Sequence, residues 1–371
     1  MIFAENLLKF FKSKNIDFFT GVPDSVLKFF TLPLEQKKKS QHIISTNEGS
    51  AVATAIGYYL SKKKIGAVYL QNSGLGNAIN PLISIASKEV YSIPMILIIG
   101  WRGAPGQQDE PQHKAKGKIT LKLLKLLNIK SCVLKNEKDF MKLSNLIAHA
   151  KKNKVPVACL IKKNIIISKK KNLSILNKKN NNKILRSFVL SEILDKIKKN
   201  TKIISTTGFT SRELFQIRKS KKIFNSSDFY MVGGMGHSLA VTLGVAINSK
   251  KNILCLDGDG SILMHMGSMG LVGKFGPKNL KHIILNNNSH ESVGGQSTIA
   301  NNINFSKLSK SFGYKNFYLA NDNKSFKKNL TKFITSKGPS LFEIKIINRA
   351  LKNLTRPDNL NIIKRRFMKN A

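Results

Sequence analysis

The sequence predicts an α/β protein made of two doubly wound parallel-sheet domains, and three observations carry that expectation. Its 371 residues exceed the length of one ordinary domain. Short, unbroken apolar runs alternate with segments of helical periodicity, the pattern of strands covered on both faces by helices. The rhythm restarts after a polar, basic stretch, KKKNLSILNKKNNNK, which reads as a linker. The expected boundaries are a first domain at 1–165, a linker at 166–185 and a second domain at 186–371.

The opening MIFAENLLKFFKSKNIDFF reads as an amphipathic helix, with Glu5 too early for a signal peptide. FFTGVP and HIISTNEG follow, then a helix from about Gly49 to Leu60, the strand IGAVYLQN, a helix after Gly74 and the strand PMILIIGW. After Trp101 the polar run RGAPGQQDEPQHKAKG is too long for an ordinary connection and is expected to be a functional loop. A helix of Leu and Lys, the strand SCVLK, another helix and the strand VPVACLIKK close the first domain. The second runs through a helix from Ser187 to Lys198, KIISTTG, a helix from Ser211, DFYMVGGMG, a helix from His237, NILCLDGDG, a further helix, HIILNNN and the strand SLFEIKII. The last stretch, NRALKNLTRPDNLNIIKRRFMKNA, reads as a solvated basic tail.

Lys and Arg number 63 against 20 Asp and Glu, a formal charge of +43. Such a charge raises a second class of function, a Lys-rich nucleic-acid-binding protein on an inactive enzyme fold. However, 55 of the basic residues are Lys and 8 are Arg, and the Lys are spread along the chain in company with Asn and Ile. This is compositional drift tolerated on solvated faces, so neither a nucleic-acid nor a membrane partner is expected. Cys132, Cys159 and Cys255 lie far apart inside apolar runs, which suggests neither a disulfide framework nor a zinc site. With no apolar stretch near 18 residues, the expectation is a soluble, cytoplasmic protein.

The strongest chemical signal is ILCLDGDGSILMHMGSMGLVGKFGPKNLKHIILNNNS. One apolar strand ends at Asp257, and the next ends at Asn286 and Asn287. Neighbouring parallel strands deliver their carboxyl ends to one crevice, which places Asp259 beside Asn287. A carboxylate, an amide oxygen and a nearby main-chain carbonyl suit a hard cation such as magnesium that also holds phosphate oxygens. Gly258 and Gly260 allow close approach of the backbone, and the helix start at Ser261 adds its dipole.

This pattern, GDG followed by NN with 28 positions between Asp259 and Asn287, resembles the motif of the thiamine diphosphate-dependent decarboxylases and synthases. The resemblance implies domains of the thiamine diphosphate-binding type, with Asp259, Asn287 and the Ser289 carbonyl as Mg2+ ligands. It calls for a Gly after the Asn pair, where this chain has Asn288. It also implies a catalytic glutamate, and Glu48 in STNEGSAVATAIGYYL stands at the matching strand end. A carboxylic acid there sets the tautomer of the cofactor's aminopyrimidine. In GGMGHSLAVTLGVA, Met235 between Gly234 and Gly236 matches the apolar residue that wedges between the two cofactor rings.

Many family members carry a third domain, whereas here a short linker joins the two halves. GVPDSVLKFF, QNSGLGNAINPL, RGAPGQQDEPQH, TSRELF and NNNSHESVGGQST are similar to the short branch that decarboxylates phosphonopyruvate, with the sulfopyruvate decarboxylases close by. The resemblance implies conversion of 3-phosphonopyruvate to phosphonoacetaldehyde and CO2; decarboxylation of sulfopyruvate is the alternative. A substrate with a keto acid at one end and a dianion at the other needs oriented donors. Candidates are Asp24, Ser25, Arg102, Asp109, Glu110, Gln112, His113, His290, Glu291, Ser292 and the main-chain amides of Gly294, Gly295 and Gln296, the last three as an anion nest. His113 and His290 are expected to join Glu48 as catalytic residues. The family further implies a homodimer or higher homo-oligomer, in which the glutamate domain of one subunit meets the diphosphate domain of another.

Overall fold

Apolar runs without a polar interruption become strands with both faces covered, and each half of the chain gathers six of them. The structure, a computed structural model, describes residues 1–169, 184–223 and 228–369. Residues 170–183, most of the expected linker, lie outside the described residues. The described chain divides into a first unit, up to residue 169 with 293–296, and a second, 184–292 with 297–369. The stretch 293–296, placed by sequence in the second domain, therefore groups with the first.

In the first unit the strands are β1 (Phe19–Gly21), β2 (His42–Ile44), β3 (Gly66–Gln71), β4 (Met95–Trp101), β5 (Lys130–Leu134) and β6 (Val157–Lys162). All are parallel and lie in the order β2-β1-β3-β4-β6-β5. Every residue of β4 is buried. Ile96 and Ile98 face one core with Leu7, Phe11 and Tyr69. Leu97 and Ile99 face the other with Val52, Ala55 and Leu75. This two-residue alternation is what a sheet sandwiched between helices requires.

The second unit repeats the plan with β7 (Lys202–Ser205), β8 (Asp228–Tyr230), β9 (Ile253–Gly258), β10 (Leu280–Asn286), β11 (Asn316–Ala320) and β12 (Ser340–Lys345). Their order, β8-β7-β9-β10-β12-β11, is that of the first unit. Ile283 and Leu285 enter one core, and Ile284 enters the other. In each sheet the order reverses beside the first strand, so a crevice opens at the carboxyl ends of β1 and β3, and of β7 and β9.

Five elements depart from expectation. Ile2–Phe3 pairs with Ile166–Ile167 as a small parallel sheet, and the first helix, Ala4–Ser13, starts after it. The long loop after Trp101 is shortened because a helix, Pro111–Leu126, begins inside it. Pro111 stands in its first turn, where proline's fixed φ favours a helix and its missing N–H costs nothing. The edge strand β11 and the following helix Asn323–Thr335 have no counterpart in the sequence reading; β11 is short and mostly half-exposed. Finally, the basic C-terminal stretch ends in a packed helix, Leu360–Lys369, and is not simply a solvated tail. Ile363 is buried there, and Lys202 Nζ donates to the Phe367 carbonyl at 2.7 Å. Among the described residues no helix is long and apolar enough to cross a membrane.

Candidate active site

In the first unit the polar groups of interest follow the ends of β1, β2, β3 and β4. The chain leaves β2 at Ile44, and Asn47 caps the helix Glu48–Lys62 by accepting from Ser50 N at 2.8 Å. Glu48 is thereby set at the helix start, and it is 5% exposed. Asn77 Nδ2 donates to its Oε2 at 2.7 Å. Its Oε1 lies over Gly74, where an added Cβ would stand 2.1 Å away. Gly74 is therefore the opening that the carboxyl group fills.

Asp24, just past β1, is fully buried. Its Oδ2 accepts from Val26 N at 3.1 Å and Gln71 Nε2 at 3.3 Å, while Oδ1 has no partner among the described residues. Burial raises its pKa above 3.8, against the opposing pull of those bonds and of Arg102. Gly100 makes the room, since a Cβ there would meet Asp24 Oδ1 at 1.9 Å.

Arg102, at the end of β4, is held by several groups at once. Asp109 accepts from Nε at 2.8 Å and Nη2 at 2.6 Å, Glu110 accepts from Nη2 at 3.2 Å, and Ser25 Oγ accepts from Nη1 at 3.2 Å. Burial pushes the Asp109 carboxyl up, but Arg102 and the N–H groups of Glu110 and Gly103 outweigh it and hold the group below its ordinary value. His113 is in the first turn of the Pro111 helix and not in a loop. Burial, aided by Arg102, lowers its pKa. Ligand atoms of Asp109, Glu110 and His113 lie within 4.8 Å of one another. The Gln112 side chain lies outside the described residues.

Gly294 and Gly295 have φ of 145° and 84°, conformations open mainly to glycine. Gln296 turns its side chain inward, where Nε2 donates to Thr31 Oγ1 at 2.9 Å. That bond ties Nε2 down, while Gln296 Oε1 is buried with no partner among the described residues.

In the second unit the polar groups follow β7 to β10. Asp259 begins the helix Asp259–Met264 and is 2% exposed. Thr298 Oγ1 donates to its Oδ2, and the main-chain N–H groups of Asn287 and Gly260 also reach the carboxylate. Burial dominates these bonds and raises its pKa to about 6. Asn287, 5% exposed, donates from Nδ2 to Glu291 Oε2 at 3.0 Å, and its Oδ1 accepts from Ser289 N at 3.1 Å. Asn288 has φ 57°, the left-handed region, and Asn is among the few residues other than Gly that adopt it readily. The loop thus keeps the geometry for which a Gly was expected.

Ser261 joins two turns: its Oγ accepts from Gly236 N at 3.1 Å and Thr206 Oγ1 at 2.9 Å. Both bonds use the oxygen as acceptor, which leaves the Ser261 O–H as a donor that a phosphate oxygen could accept from. Gly234 and Gly236 have φ of 64° and 89°, which turns the chain so as to present Met235. A Cβ at Gly260 would meet the His290 ring at 3.0 Å and Met235 Cε at 3.3 Å, so these three residues converge. Burial lowers the His290 pKa to about 4, leaving a neutral imidazole at pH 7. Around Gly258, by contrast, a Cβ would find nothing within 4 Å.

The predicted residues therefore fall into two sets. Gly234, Met235, Gly258, Asp259, Gly260, Ser261, Asn287, Ser289 and His290 belong to the second unit, and Asp24, Ser25, Glu48, His113, Gly294, Gly295 and Gln296 to the first. Sequence reasoning missed Asn77, Thr298, Arg186 and Glu213. Each acts through a pairing made only by the fold; Asn77, Glu213 and Thr298 stood in segments already singled out, and Arg186 did not. Asp259, a buried carboxylate with a raised pKa, is a group that a cation would relieve. The oxygens offered at the ends of the neighbouring strands β9 and β10, by Asp259, Asn287 and the Ser289 carbonyl, and the open space at Gly258 fit magnesium bound to a diphosphate.

Two family models match the chain: the thiamine pyrophosphate enzyme N-terminal TPP binding domain over residues 1–122, and the C-terminal TPP binding domain over residues 204–344. Among curated relatives, a phosphonopyruvate decarboxylase of Streptomyces viridochromogenes is 30% identical, with 96% of this chain and 91% of the relative covered. One of Streptomyces hygroscopicus is 29% identical, covering 96% and 90%. A sulfopyruvate decarboxylase of Methanosarcina acetivorans is 26% identical, covering 80% and 78%. With its two binding domains matched and its similarity running nearly end to end, the chain belongs to the thiamine diphosphate-dependent enzymes as a 2-oxo acid decarboxylase.

Proposed function

We propose that the chain decarboxylates 3-phosphonopyruvate to phosphonoacetaldehyde and CO2, with Mg2+ anchoring the cofactor. The observation that carries the cofactor half is the buried Asp259 carboxylate at the end of β9, with Asn287 at the end of the neighbouring β10 and open space at Gly258. For the substrate, support comes from the two phosphonopyruvate decarboxylases among the relatives and from the His290–Gln296 segment.

Asp259, Asn287 Oδ1 and the Ser289 carbonyl would hold the metal, and Met235 would support the cofactor's rings. When bound, thiamine diphosphate supplies a nucleophilic carbon and a sink for the electrons released with CO2. Glu48 keeps Oε2 on Asn77, which leaves Oε1 to hold the proton that sets the pyrimidine tautomer. Asp24, its carboxyl pushed up by burial and its Oδ1 without a partner among the described residues, is the proposed acid for the carbon that loses CO2. Neutral His290 offers an N–H beside Gly260. Ser25, Arg102, His113 and the main-chain amides of Gly294, Gly295 and Gln296 are the proposed phosphonate receivers.

We also propose a homodimer or higher homo-oligomer, with the Glu48 half of one copy completing the Asp259 half of another. Exposed apolar side chains on helices of both units support it: Leu60 at 65%, Ile247 at 56%, Leu271 at 49% and Phe275 at 55%. Its three thiols are free, which suits the reducing cytoplasm proposed as its location.

The test is competition of phosphonopyruvate, sulfopyruvate and pyruvate under matched magnesium, followed by aldehyde release. Buried donors left unpaired by a methyl group discriminate by about 10⁴ or more, so pyruvate should be the poorest substrate. Faster use of sulfopyruvate would move the chain to the sulfonate branch, and fastest use of pyruvate would exclude both.

A further inference from the structure

Asn287 can serve a cation only if its amide presents Oδ1 and not Nδ2, and an amide left to itself can turn either way. The surroundings decide the matter. Glu291 Oε2, which can only accept while ionised, takes a hydrogen bond from Asn287 Nδ2 at 3.0 Å. Ser289 N, which can only donate, bonds Asn287 Oδ1 at 3.1 Å. A donor and an acceptor on opposite sides fix one orientation of the amide.

Glu291 is itself held. Arg186, at the start of the helix Arg186–Lys196 and 4% exposed, donates from Nη2 to Glu291 Oε2, the same oxygen that Asn287 uses. Its Nη1 donates to Glu213 Oε1 at 3.0 Å, and Leu351 N donates to that oxygen at 3.1 Å. Glu213 is 0% exposed, so the guanidinium already has a buried counterion without Glu291. Arg186 is therefore anchored on one side and free to position Glu291 with the other.

We infer that Arg186 and Glu291 are positioning residues for the metal: anchored through Glu213, they hold the Asn287 amide with its oxygen toward the cation. The inference rests on the reading of Asn287 and Asp259 as ligands. Partners of this kind behind a metal ligand change affinity by about 10- to 100-fold when removed.

The test is a calorimetric Mg2+ titration of the full-length protein at saturating thiamine diphosphate, alongside thermal unfolding of the apoprotein. Glu291→Ala should raise the half-saturating Mg2+ concentration by about 10- to 100-fold, and Arg186→Lys by less. Asn287→Asp sets two carboxylates against each other and should weaken Mg2+ binding; adding Glu291→Gln supplies a donor and should recover about tenfold of that loss. That recovery is a readout which a merely structural role would not move, and it decides the question even if Glu291→Ala does not fold. Mg2+ affinity within about twofold of the parent in Glu291→Ala, or no recovery in the double variant, overturns the inference if Asp259→Ala abolishes binding. If Asp259→Ala binds Mg2+ normally, the ligand assignment itself falls, and the positioning role falls with it.

Discussion

The two units share one strand order, yet two glycines near the strand ends of the first differ from two in the second. In the first, an added Cβ at Gly74 would strike Glu48 Oε1 at 2.1 Å, and one at Gly100 would strike Asp24 Oδ1 at 1.9 Å. The space freed by these glycines is filled by the protein's own acids. In the second, Gly258 faces nothing within 4 Å, and Gly234 meets only Met231 Cε at 3.4 Å and His237 Cδ2 at 3.9 Å. There the space is left for something from outside. One topology thus carries, near these strand ends, glycines filled by buried carboxyl groups in one half and open glycines in the other, where we propose that the diphosphate and its metal bind.

The largest expected effect comes from removing the acid itself. Glu48→Gln should leave thiamine diphosphate affinity nearly intact while turnover falls by about 10² to 10⁴, the scale of general acid–base catalysis. Steady-state rates beside a cofactor titration check this, and near-normal turnover in a folded variant would remove Glu48 from the chemistry.

Gly74→Ala sets a methyl group against the Glu48 carboxyl, an overpacking that should cost about 1–3 kcal/mol in denaturant unfolding and reduce turnover as Glu48 shifts. Gly258→Ala should behave in the contrary way. With φ −115° and open space at its Cβ, alanine fits, so apoprotein stability should hold within about 0.5 kcal/mol while cofactor affinity drops. If both variants lose stability alike, the contrast between filled and open glycines is wrong.

The smallest effect is a pH trend. Burial raises the Asp24 pKa above 3.8, so the folded state binds the proton more tightly than the unfolded chain. The stability that this contributes is complete below 3.8 and is lost as pH rises through the folded pKa. Asp24→Asn has no such proton to lose. Its melting temperature should therefore gain on the parent as pH rises from 3.8 toward the folded pKa, even as activity declines. A gap independent of pH would mean that Asp24 ionises normally.

The parts of this account visible in sequence were those written in adjacent residues. Apolar runs such as MILIIGW gave the strands, and GDG with its paired Asn gave the diphosphate half. What escaped was set by long-range contact or by weak local pattern. Thr298 reaches Asp259 over 39 positions, and Arg186 reaches Glu291 over 105, so neither pairing leaves a spacing to read. The strand Asn316–Ala320 escaped because an edge position leaves it half-exposed. His113 was read into a loop because Pro111 was not taken as a helix start.

The most direct measurement is calorimetric binding of thiamine diphosphate to the apoprotein, with and without Mg2+, for the parent and Asp259→Ala. The parent should bind tightly only with Mg2+, and Asp259→Ala should lose at least two orders of magnitude in affinity, about 2.7 kcal/mol, while unfolding at nearly the parent temperature. Equal affinity in the two proteins, or binding indifferent to Mg2+, would contradict the placement of the metal and the diphosphate at the ends of β9 and β10.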